Sequence, residues 1–277
     1  MTGRALPFIG SAEAWSGGAK TASAFCVLAP NPSIMTLDGT NTWILHGTAG
    51  TCVVVDPGPA DAAHRDAILE AADALDARIE GILLTHGHPD HSELARELAD
   101  RAGVGVRALD PAHRFGEEGL PPGSILEMAG LELEIIGTPG HTSDSISLVV
   151  RSVGALLTGD TVLGRGTTIV AWPDGQLGDY LDSLQRLRDL VDRAGITELL
   201  PGHGPMLANP GEVLDAYLQH RQARLEEVRA AVADGHLQPA EVVAVVYADV
   251  PRAAWPAAEW SVRAQLAYLA ERGELPT

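Results

Sequence analysis

The sequence predicts a layered α/β domain, with helices covering β-sheets, followed by a small all-helical unit at the C-terminal end. The chain has 277 residues and is 45% hydrophobic, which suits one large globular domain or two unequal ones. Short apolar runs alternate with longer helical patterns through the first two-thirds, an order typical of layered α/β folds. After Asn209-Pro210-Gly211 only helical patterns remain.

The predicted strands share β-branched or leucine-rich runs flanked by Gly and Pro. In chain order they are residues 24–29, 41–46, 52–55, 81–84, 131–136, 145–150, 155–157 and 198–200. The predicted helices of the first part are residues 62–75, 92–101 and 179–194, and those of the last part are 212–234, 239–249 and 256–272. We therefore predict an α/β domain over residues 1–208 and a helical domain over residues 209–277.

The chain carries 19 basic and 37 acidic residues, a formal net charge of −18. An acidic surface repels phosphate backbones and anionic membranes at long range, so non-specific coating of nucleic acid is disfavoured, although a local arginine cluster can still hold one strand. No apolar run reaches the roughly 18 residues of a membrane-spanning helix. The first twenty residues lack the continuous apolar stretch of a secretory signal, so we expect a cytoplasmic protein without membrane partners. The oligomeric state is not predicted.

The strongest chemical signal is the segment Thr85-His86-Gly87-His88-Pro89-Asp90-His91. His86 and His88 are two residues apart, so an extended backbone directs both side chains to one side. Asp90 and Ser92 are good N-caps, and a helix beginning there presents Asp90 and His91 from its first turn. Imidazole and carboxylate groups together suit zinc and related divalent metals.

Three later segments repeat one pattern: an apolar strand, then a turn containing Gly or Pro, then a residue that can bind metal. These residues are His141, Asp160 and His203. Together with the first segment, all candidates lie just beyond the carboxyl ends of predicted strands, where α/β sheets gather their functional loops. The sequence therefore predicts one metal centre at one sheet edge.

These motifs resemble the HxHxDH…H…D…H set of the metallo-β-lactamase superfamily. The segments LDGTNTWIL (37–45), VDPG (55–58), TGDTVLGRGTT (158–168), LPGHGP (200–205) and YLQHRQAR (217–224) resemble one subgroup, the β-lactamase-like protein 2 group. That group includes a mitochondrial single-stranded-RNA endoribonuclease. The resemblance runs over nearly the whole chain from about Asn31, and the helical tail is similar to a winged-helix unit.

The resemblance implies a four-layered αββα sandwich with a dinuclear metal centre at one edge. Two zinc ions are expected, with iron or manganese as alternatives, and they share a bridging hydroxide that attacks the substrate. Carried over residue by residue, the metal ligands are His86, His88 and His141 for one ion, Asp90, His91 and His203 for the other, and Asp160 between the two. Asp90 also orients the attacking water or accepts its proton. Asp56, at the end of a predicted strand, is expected to support the ligands from behind.

Other candidates for the site carry weaker signals in the sequence. Asn41 follows a Gly-Thr turn and is a candidate substrate contact, as is Arg165, which lies between two glycines just after Asp160. His220 and Arg224 are four residues apart and share a helix face with Tyr217. In the resembling group this helix borders the active-site cleft. His220 is therefore a candidate leaving-group acid and Arg224 a candidate substrate contact.

Hydrolysis is predicted, but two classes of substrate compete. A small thioester or ester is slightly preferred, because a thiolate leaves without a strong acid and the chain is acidic. Single-stranded RNA is the alternative, with Arg165, Arg221 and Arg224 as phosphate contacts. A β-lactamase is less favoured because no export signal is visible, and a non-catalytic docking module is less favoured because every expected ligand is present. If the tail only walls the cleft, removing the residues after Asn209 should weaken substrate binding and leave the metal content intact.

Overall fold

The computed structural model describes residues 14–18 and 20–275, and two mixed β-sheets form its centre. The strands of the first sheet are β1 (Ala24–Leu28), β2 (Asn41–His46), β3 (Thr51–Val55), β4 (Arg78–Leu83) and β5 (Val106–Arg107). They lie in the order β1-β2-β3-β4-β5; the first three are antiparallel, and β3, β4 and β5 are parallel.

The strands of the second sheet are β6 (Ile125–Met128), β7 (Leu131–Gly137), β8 (Ile146–Val150), β9 (Ala155–Gly159), β10 (Glu198–Pro201) and β11 (Leu207–Ala208). Their order is β11-β10-β9-β8-β7-β6. All neighbours are antiparallel except β9 and β10, which run parallel. As a result, β9 and β10 end at the same edge of the sheet.

Helices cover the outer faces of both sheets. The α-helices of the described residues are α1 (Ala62–Ala74), α2 (Pro89–Ser92), α3 (Ala95–Ala102), α4 (Leu177–Ala194), α5 (Pro210–Ala233), α6 (Pro239–Val246) and α7 (Trp255–Glu271), of which α6 and α7 pack against α5. One buried cluster joins the facing sides of the two sheets, with Trp43 and Leu148 among its members. A second joins α1 and α3 to the first sheet, and a third joins α4 and α5 to the second sheet. The layers are thus helix, sheet, sheet, helix, and the predicted α/β fold class is confirmed.

Helix α5 takes part in two packing units. Its first half places Val213, Leu214 and Tyr217 in the cluster with α4 and the second sheet. Its second half places Leu225 and Val228 in a separate cluster with α6 and α7. The predicted boundary at residues 208/209 therefore falls at the start of α5, whereas the packing changes in the middle of this helix.

The structure differs from the predicted elements in several respects, among them β4, which begins at Arg78, and α6, which ends at Val246. Strands β5, β6 and β11 are not in the prediction; β5 and β11 are two residues long, and β6 has two exposed positions. The predicted helix 92–101 is two helices, α2 and α3. Helix α2 begins one residue before Asp90, so Asp90 lies in its first turn and is not its N-cap.

Among the described residues, no helix combines the length and the apolar character needed to cross a bilayer.

Candidate metal centre

The seven predicted ligands lie together at one edge of the sandwich, beyond the carboxyl ends of four strands. His86 and His88 follow β4, and Asp90 and His91 lie in α2 immediately after them. The other three, His141, Asp160 and His203, follow β7, β9 and β10. Within each of three overlapping groups formed by these residues, the donor atoms lie within 4.8 Å of one another. Those groups are His86/His88/His141, His86/His91/Asp160 and Asp90/His91/His203.

Three imidazole nitrogens converge in the first group. His88 Nδ1 lies 3.1 Å from His86 Nε2 and 3.0 Å from His141 Nε2. His141 Nδ1 donates its proton to the carbonyl of Ile169 at 2.7 Å, and His86 Nδ1 donates to the Thr85 hydroxyl at 3.0 Å. In the neutral rings both Nε2 atoms therefore carry lone pairs directed at His88 Nδ1. One hydrogen can satisfy at most one of these two contacts, whereas a cation satisfies all three nitrogens.

The group Asp90/His91/His203 combines imidazoles with a carboxylate. His91 Nε2 lies 3.3 Å from His203 Nε2, and Asp90 Oδ2 lies 3.3 Å from His203 Nε2. His203 Nδ1 donates a hydrogen bond to the carbonyl of Gly39, so Nε2 is the ring nitrogen that can bind a metal ion. Asp160 lies between the two groups, with oxygens 3.4 Å from His91 Nε2, 3.6 Å from His141 Nε2 and 3.3 Å from His203 Nε2.

The electrostatics of the group show a strong negative field. Burial alone would raise the pKa of Asp160, but His203 and His91 hold that pKa well below its usual value. Burial alone would lower the pKa of His203, but the Asp160 carboxylate raises it to about 9. Asp160 and Asp56 act in the same way on His91, whose pKa lies well above its usual value despite complete burial. In the absence of metal, protons on these imidazoles thus provide the positive charge that the carboxylates attract.

Asp56 supports this group from behind and does not line the cavity. Its Oδ2 accepts from His91 Nδ1 at 2.9 Å and from the Thr85 hydroxyl at 2.7 Å, and its Oδ1 accepts from the Thr85 backbone N–H at 2.7 Å. The residue has a positive φ of 53°, an uncommon conformation for a non-glycine residue. This geometry fixes the His91 tautomer with Nε2 facing the other donors.

The donor set fits divalent metal ions. Five imidazoles and two carboxylates offer the nitrogen and oxygen ligands that zinc, iron and manganese accept. Asp160 Oδ1 is buried and has no hydrogen-bond partner among the described residues. Gly202 also fits this reading, because a Cβ there would come within 2.5 Å of Asp160 Oδ1 and 2.8 Å of a His91 ring carbon.

Asn41, a predicted substrate contact, lies elsewhere. It is fully buried, and its amide N–H groups donate to the carbonyls of Pro201 and Gly204 at 2.9 and 2.8 Å. Its carbonyl oxygen accepts from Trp15 Nε1 at 2.7 Å. The side chain therefore braces the turn that carries His203 and is not available to a substrate.

A cavity of about 250 Å³ lies over the donor cluster. The donors His88, Asp90, His141, Asp160 and His203 reach it from below. Its apolar lining consists of Ile34, Met35, Leu37, Leu163 and Ile169. Arg165 also lines the cavity, as predicted for a substrate contact, and its guanidinium is paired with the Asp38 carboxylate.

His220 and Arg224 are not among the residues that line this cavity. Arg224 donates to Glu227 and to the carbonyl of Val246, and its guanidinium lies over the ring of Tyr247. Burial, with help from Arg221 and Arg224, lowers the pKa of His220 to about 4. An imidazole with this pKa is neutral at pH 7, so it does not suit the predicted role of leaving-group acid. The structure thus leaves both side chains outside the cavity lining, and it directs Arg224 toward α6.

Comparisons with known proteins agree with this geometry. The family model described as metallo-beta-lactamase superfamily matches residues 35–203, and the model described as beta-lactamase associated winged helix domain matches residues 239–274. The chain belongs to the metallo-β-lactamase superfamily, and with these donors it is a metal-dependent hydrolase.

Relatives and solved structures support the same assignment. The beta-lactamase-like protein 2 homolog of Caenorhabditis elegans is 33% identical over 256 residues, covering 89% of this chain and 84% of its own. The atrochrysone carboxyl ACP thioesterase of Aspergillus fumigatus is 29% identical over 241 residues, covering 81% and 73%. A crystal structure of a metallo-beta-lactamase family protein from Thermus thermophilus matches with a TM-score of 0.76 at 25% identity, covering 91% of this chain and 95% of its own. The resemblance found in the sequence is confirmed.

Sequence reasoning missed the residues that hold the ligands in place. Thr85 and Gly202 are adjacent to the ligands His86 and His203, and this adjacency was the available signal. The sequence suggests Arg221 only as a phosphate contact, but the side chain is buried and donates to the carbonyl of Thr168. No local pattern indicates this contact, because it joins two segments that are distant in the chain.

Proposed function

We propose that the protein is a dinuclear-metal hydrolase that cleaves small thioester or ester substrates. The observation that carries this proposal is the cavity over the donor cluster. Its wall is largely apolar, and the charge of its arginine is already matched by Asp38. Such a wall suits an uncharged acyl chain better than a phosphodiester backbone.

Each residue of the donor cluster has a separate role in the proposed reaction. His86, His88 and His141 would hold one ion and Asp90, His91 and His203 the other, with Asp160 between them. A bound pair of divalent ions supplies Lewis acidity and lowers the pKa of water. Burial alone would raise the pKa of Asp90, but His203 keeps it below its usual value, so the carboxylate is ionised at neutral pH. Asp90 also lines the cavity and is therefore placed to accept a proton from the attacking water.

The requirements of the leaving group are a second argument for a thioester substrate. The predicted leaving-group acid, His220, is neutral at pH 7 and is not among the residues that line the cavity. A thiol with a pKa of about 8.5 departs as the thiolate without protonation. The thioesterase named among the relatives is in keeping with this substrate class.

The RNA alternative receives less support. The three arginines expected to bind phosphate are each engaged: Arg165 with Asp38, Arg221 with the Thr168 carbonyl, and Arg224 with Glu227 and the Val246 carbonyl. A second cavity, which shares His88 with the first, is lined by the carboxylates Asp110, Asp144 and Asp174. These acidic side chains repel a phosphate backbone that would cross the site.

The test compares two substrate classes with one metal-loaded preparation. Acyl thioesters of graded chain length and an end-labelled single-stranded RNA are incubated with wild type and with Asp160→Ala. We expect thioester hydrolysis that the substitution abolishes, and no cleavage of RNA above that of the mutant. RNA cleavage that disappears in Asp160→Ala, without thioester hydrolysis, would replace this proposal with the endoribonuclease.

Zinc as the metal and the cytoplasm as the compartment remain predictions from the sequence.

A further inference from the structure

We propose that helix α5 positions the metal ligands through the segment 160–169, here called the cavity loop, and that Tyr217 and Arg221 are the positioning residues. This inference rests on the metal centre of the proposed function and does not depend on the substrate. It gives the C-terminal helices a role in the chemistry although none of their side chains lines the cavity.

The cavity loop is irregular and yet largely buried. It contains no helix or strand, while Thr161, Val162 and Thr168 are at most 3% exposed. Buried backbone N–H and C=O groups without partners are costly, so a loop of this kind depends on side chains that supply the missing hydrogen bonds. The partners of this loop therefore determine its conformation.

The loop is attached to three of the seven predicted ligands. It begins at Asp160, whose backbone carbonyl accepts from the Thr168 hydroxyl at the other end of the loop. The carbonyl of Ile169 accepts from His141 Nδ1 at 2.7 Å, and the N–H of Gly164 donates to the carbonyl of His203 at 2.8 Å. A shift of the loop would therefore move or rotate a ligand in both donor groups.

Two side chains of α5 hold the loop from its outer side. The Tyr217 hydroxyl accepts from the N–H of Leu163 at 2.9 Å and donates to a carbonyl, with those of Leu163 and Gly166 at 3.2 and 3.1 Å. Arg221, one helical turn further along α5, donates to the carbonyl of Thr168. Both side chains are buried, at 2% and 5% exposure.

The buried charge of Arg221 is the second argument for this role. Among the described residues, Arg221 forms no ion pair with a carboxylate, and its guanidinium lies 4.8 Å from the ring centroid of Tyr180. Burying an unpaired charge is costly, so an apolar residue would pack this position more favourably. Tyr180 itself donates to the carbonyl of Thr161 at 2.7 Å, which places all three side chains on the same loop. The guanidinium therefore serves the loop and the site more than the stability of the helix layer.

The experiment measures metal binding directly. Wild type, Tyr217→Phe and Arg221→Leu are stripped of metal and titrated with Co²⁺ against a chelator, and the visible absorption spectrum of the cobalt form is recorded. Hydrogen bonds made directly to a metal ligand change metal affinity by about 10- to 100-fold. Because Tyr217 and Arg221 act on the ligands through the loop, we expect binding that is weaker by up to about tenfold and an altered spectrum in both variants. Arg221→Lys, which keeps a donor for the Thr168 carbonyl, should recover part of the affinity.

The controls are Tyr268→Phe and Arg263→Leu on α7, which remove the same groups from the same helical region. Both should bind Co²⁺ as wild type does.

Wild-type affinity and spectrum in Tyr217→Phe and Arg221→Leu would overturn the proposal, as would a wild-type chain that binds no cobalt. If Arg221→Leu does not fold, Tyr217→Phe decides, because it keeps the buried ring and removes only the hydroxyl. Weakened metal binding in a protein that hydrolyses no thioester would reject the proposed substrate and leave the positioning role standing.

Discussion

At the scale of single residues, Asp56 shows how one buried carboxylate orients a predicted metal ligand, His91. It accepts hydrogen bonds from the Thr85 backbone, the Thr85 hydroxyl and His91 Nδ1. In Asp56→Asn the amide would direct N–H groups at one of these donors, so one interaction becomes repulsive. We expect metal affinity to fall by about 10- to 100-fold, measured by competition with a chelator.

The matched control for that variant is Asp66→Asn on the outer side of α1, where the carboxylate is 58% exposed. This substitution should leave metal affinity unchanged. Equal affinities for Asp56→Asn and wild type would show that His91 keeps its orientation without Asp56.

His64 supports the same strand end and makes stability depend on pH. Its Nε2 lies 2.8 Å from the Thr42 hydroxyl, which in turn donates to the carbonyl of Asp56. Burial lowers the pKa of His64 to about 4, below the unfolded value of 6.5. Because the unfolded chain binds the proton more tightly, His64 lowers stability as pH falls from about 6.5 to 4, by about 3 kcal/mol in total.

The corresponding experiment compares wild type with His64→Gln, whose amide can still donate to Thr42 and does not titrate. Urea unfolding of the metal-free proteins at pH 7.5 and 4.5 should show the variant gaining about 2–3 kcal/mol relative to wild type at the lower pH. A difference in the free energy of unfolding that is the same at both pH values would mean that folding does not perturb His64.

At the scale of elements, the segment before β2 forms an apolar rim for the cavity. Ile34 and Met35 line the cavity and are 63% and 42% exposed, so they have apolar area left to bury against a ligand. Burying about 50 Å² of it contributes roughly 1.3 kcal/mol, or nearly a factor of ten. Ile34→Ser should therefore lower kcat/KM for a long-chain acyl thioester by about tenfold and change that for an acetyl thioester less than twofold.

The control for the rim is Ile125→Ser on β6, an exposed isoleucine that does not line the cavity. It should alter neither rate. Equal losses for short and long acyl chains in Ile34→Ser would show that the rim does not contact the acyl group.

The elements also show what the sequence can and cannot predict. Long periodic helices such as α4 and α5, and buried strands such as β2, follow the prediction within two residues because their patterns are strong and local. The two-residue strands β5 and β11 have no such pattern and form through pairing with distant strands. The types and the spacing of the donor residues are local signals, whereas the hydrogen bonds from α5 to the cavity loop join residues more than fifty positions apart.

At the scale of the whole molecule, the C-terminal helices are part of the core. Val213, Leu214 and Tyr217 of α5 are buried against α4 and the second sheet. Each such side chain contributes about 2–5 kcal/mol to stability. The loss of all three together is comparable to the total free energy of unfolding of many domains. Truncation after Asn209 should therefore yield a chain that unfolds at far lower temperature and loses metal, instead of one that only binds substrate weakly.

Thermal unfolding followed by circular dichroism, together with elemental analysis, checks this expectation. A truncated chain with the wild-type unfolding temperature and two metals would mean that the first 209 residues fold independently.

The placement of the seven donors has a consequence for the sandwich itself. His86, His88, Asp90 and His91 follow a strand of the first sheet, while His141, Asp160 and His203 follow strands of the second. Each expected ion would therefore cross-link the two sheets at one rim of the sandwich. Because a ligand that binds only the folded state adds about 2.7 kcal/mol at a hundred times its dissociation constant, the melting temperature should rise with free metal. Under a chelator the two sheets should separate first at this rim, while the amide hydrogens at the opposite rim should exchange at an unchanged rate.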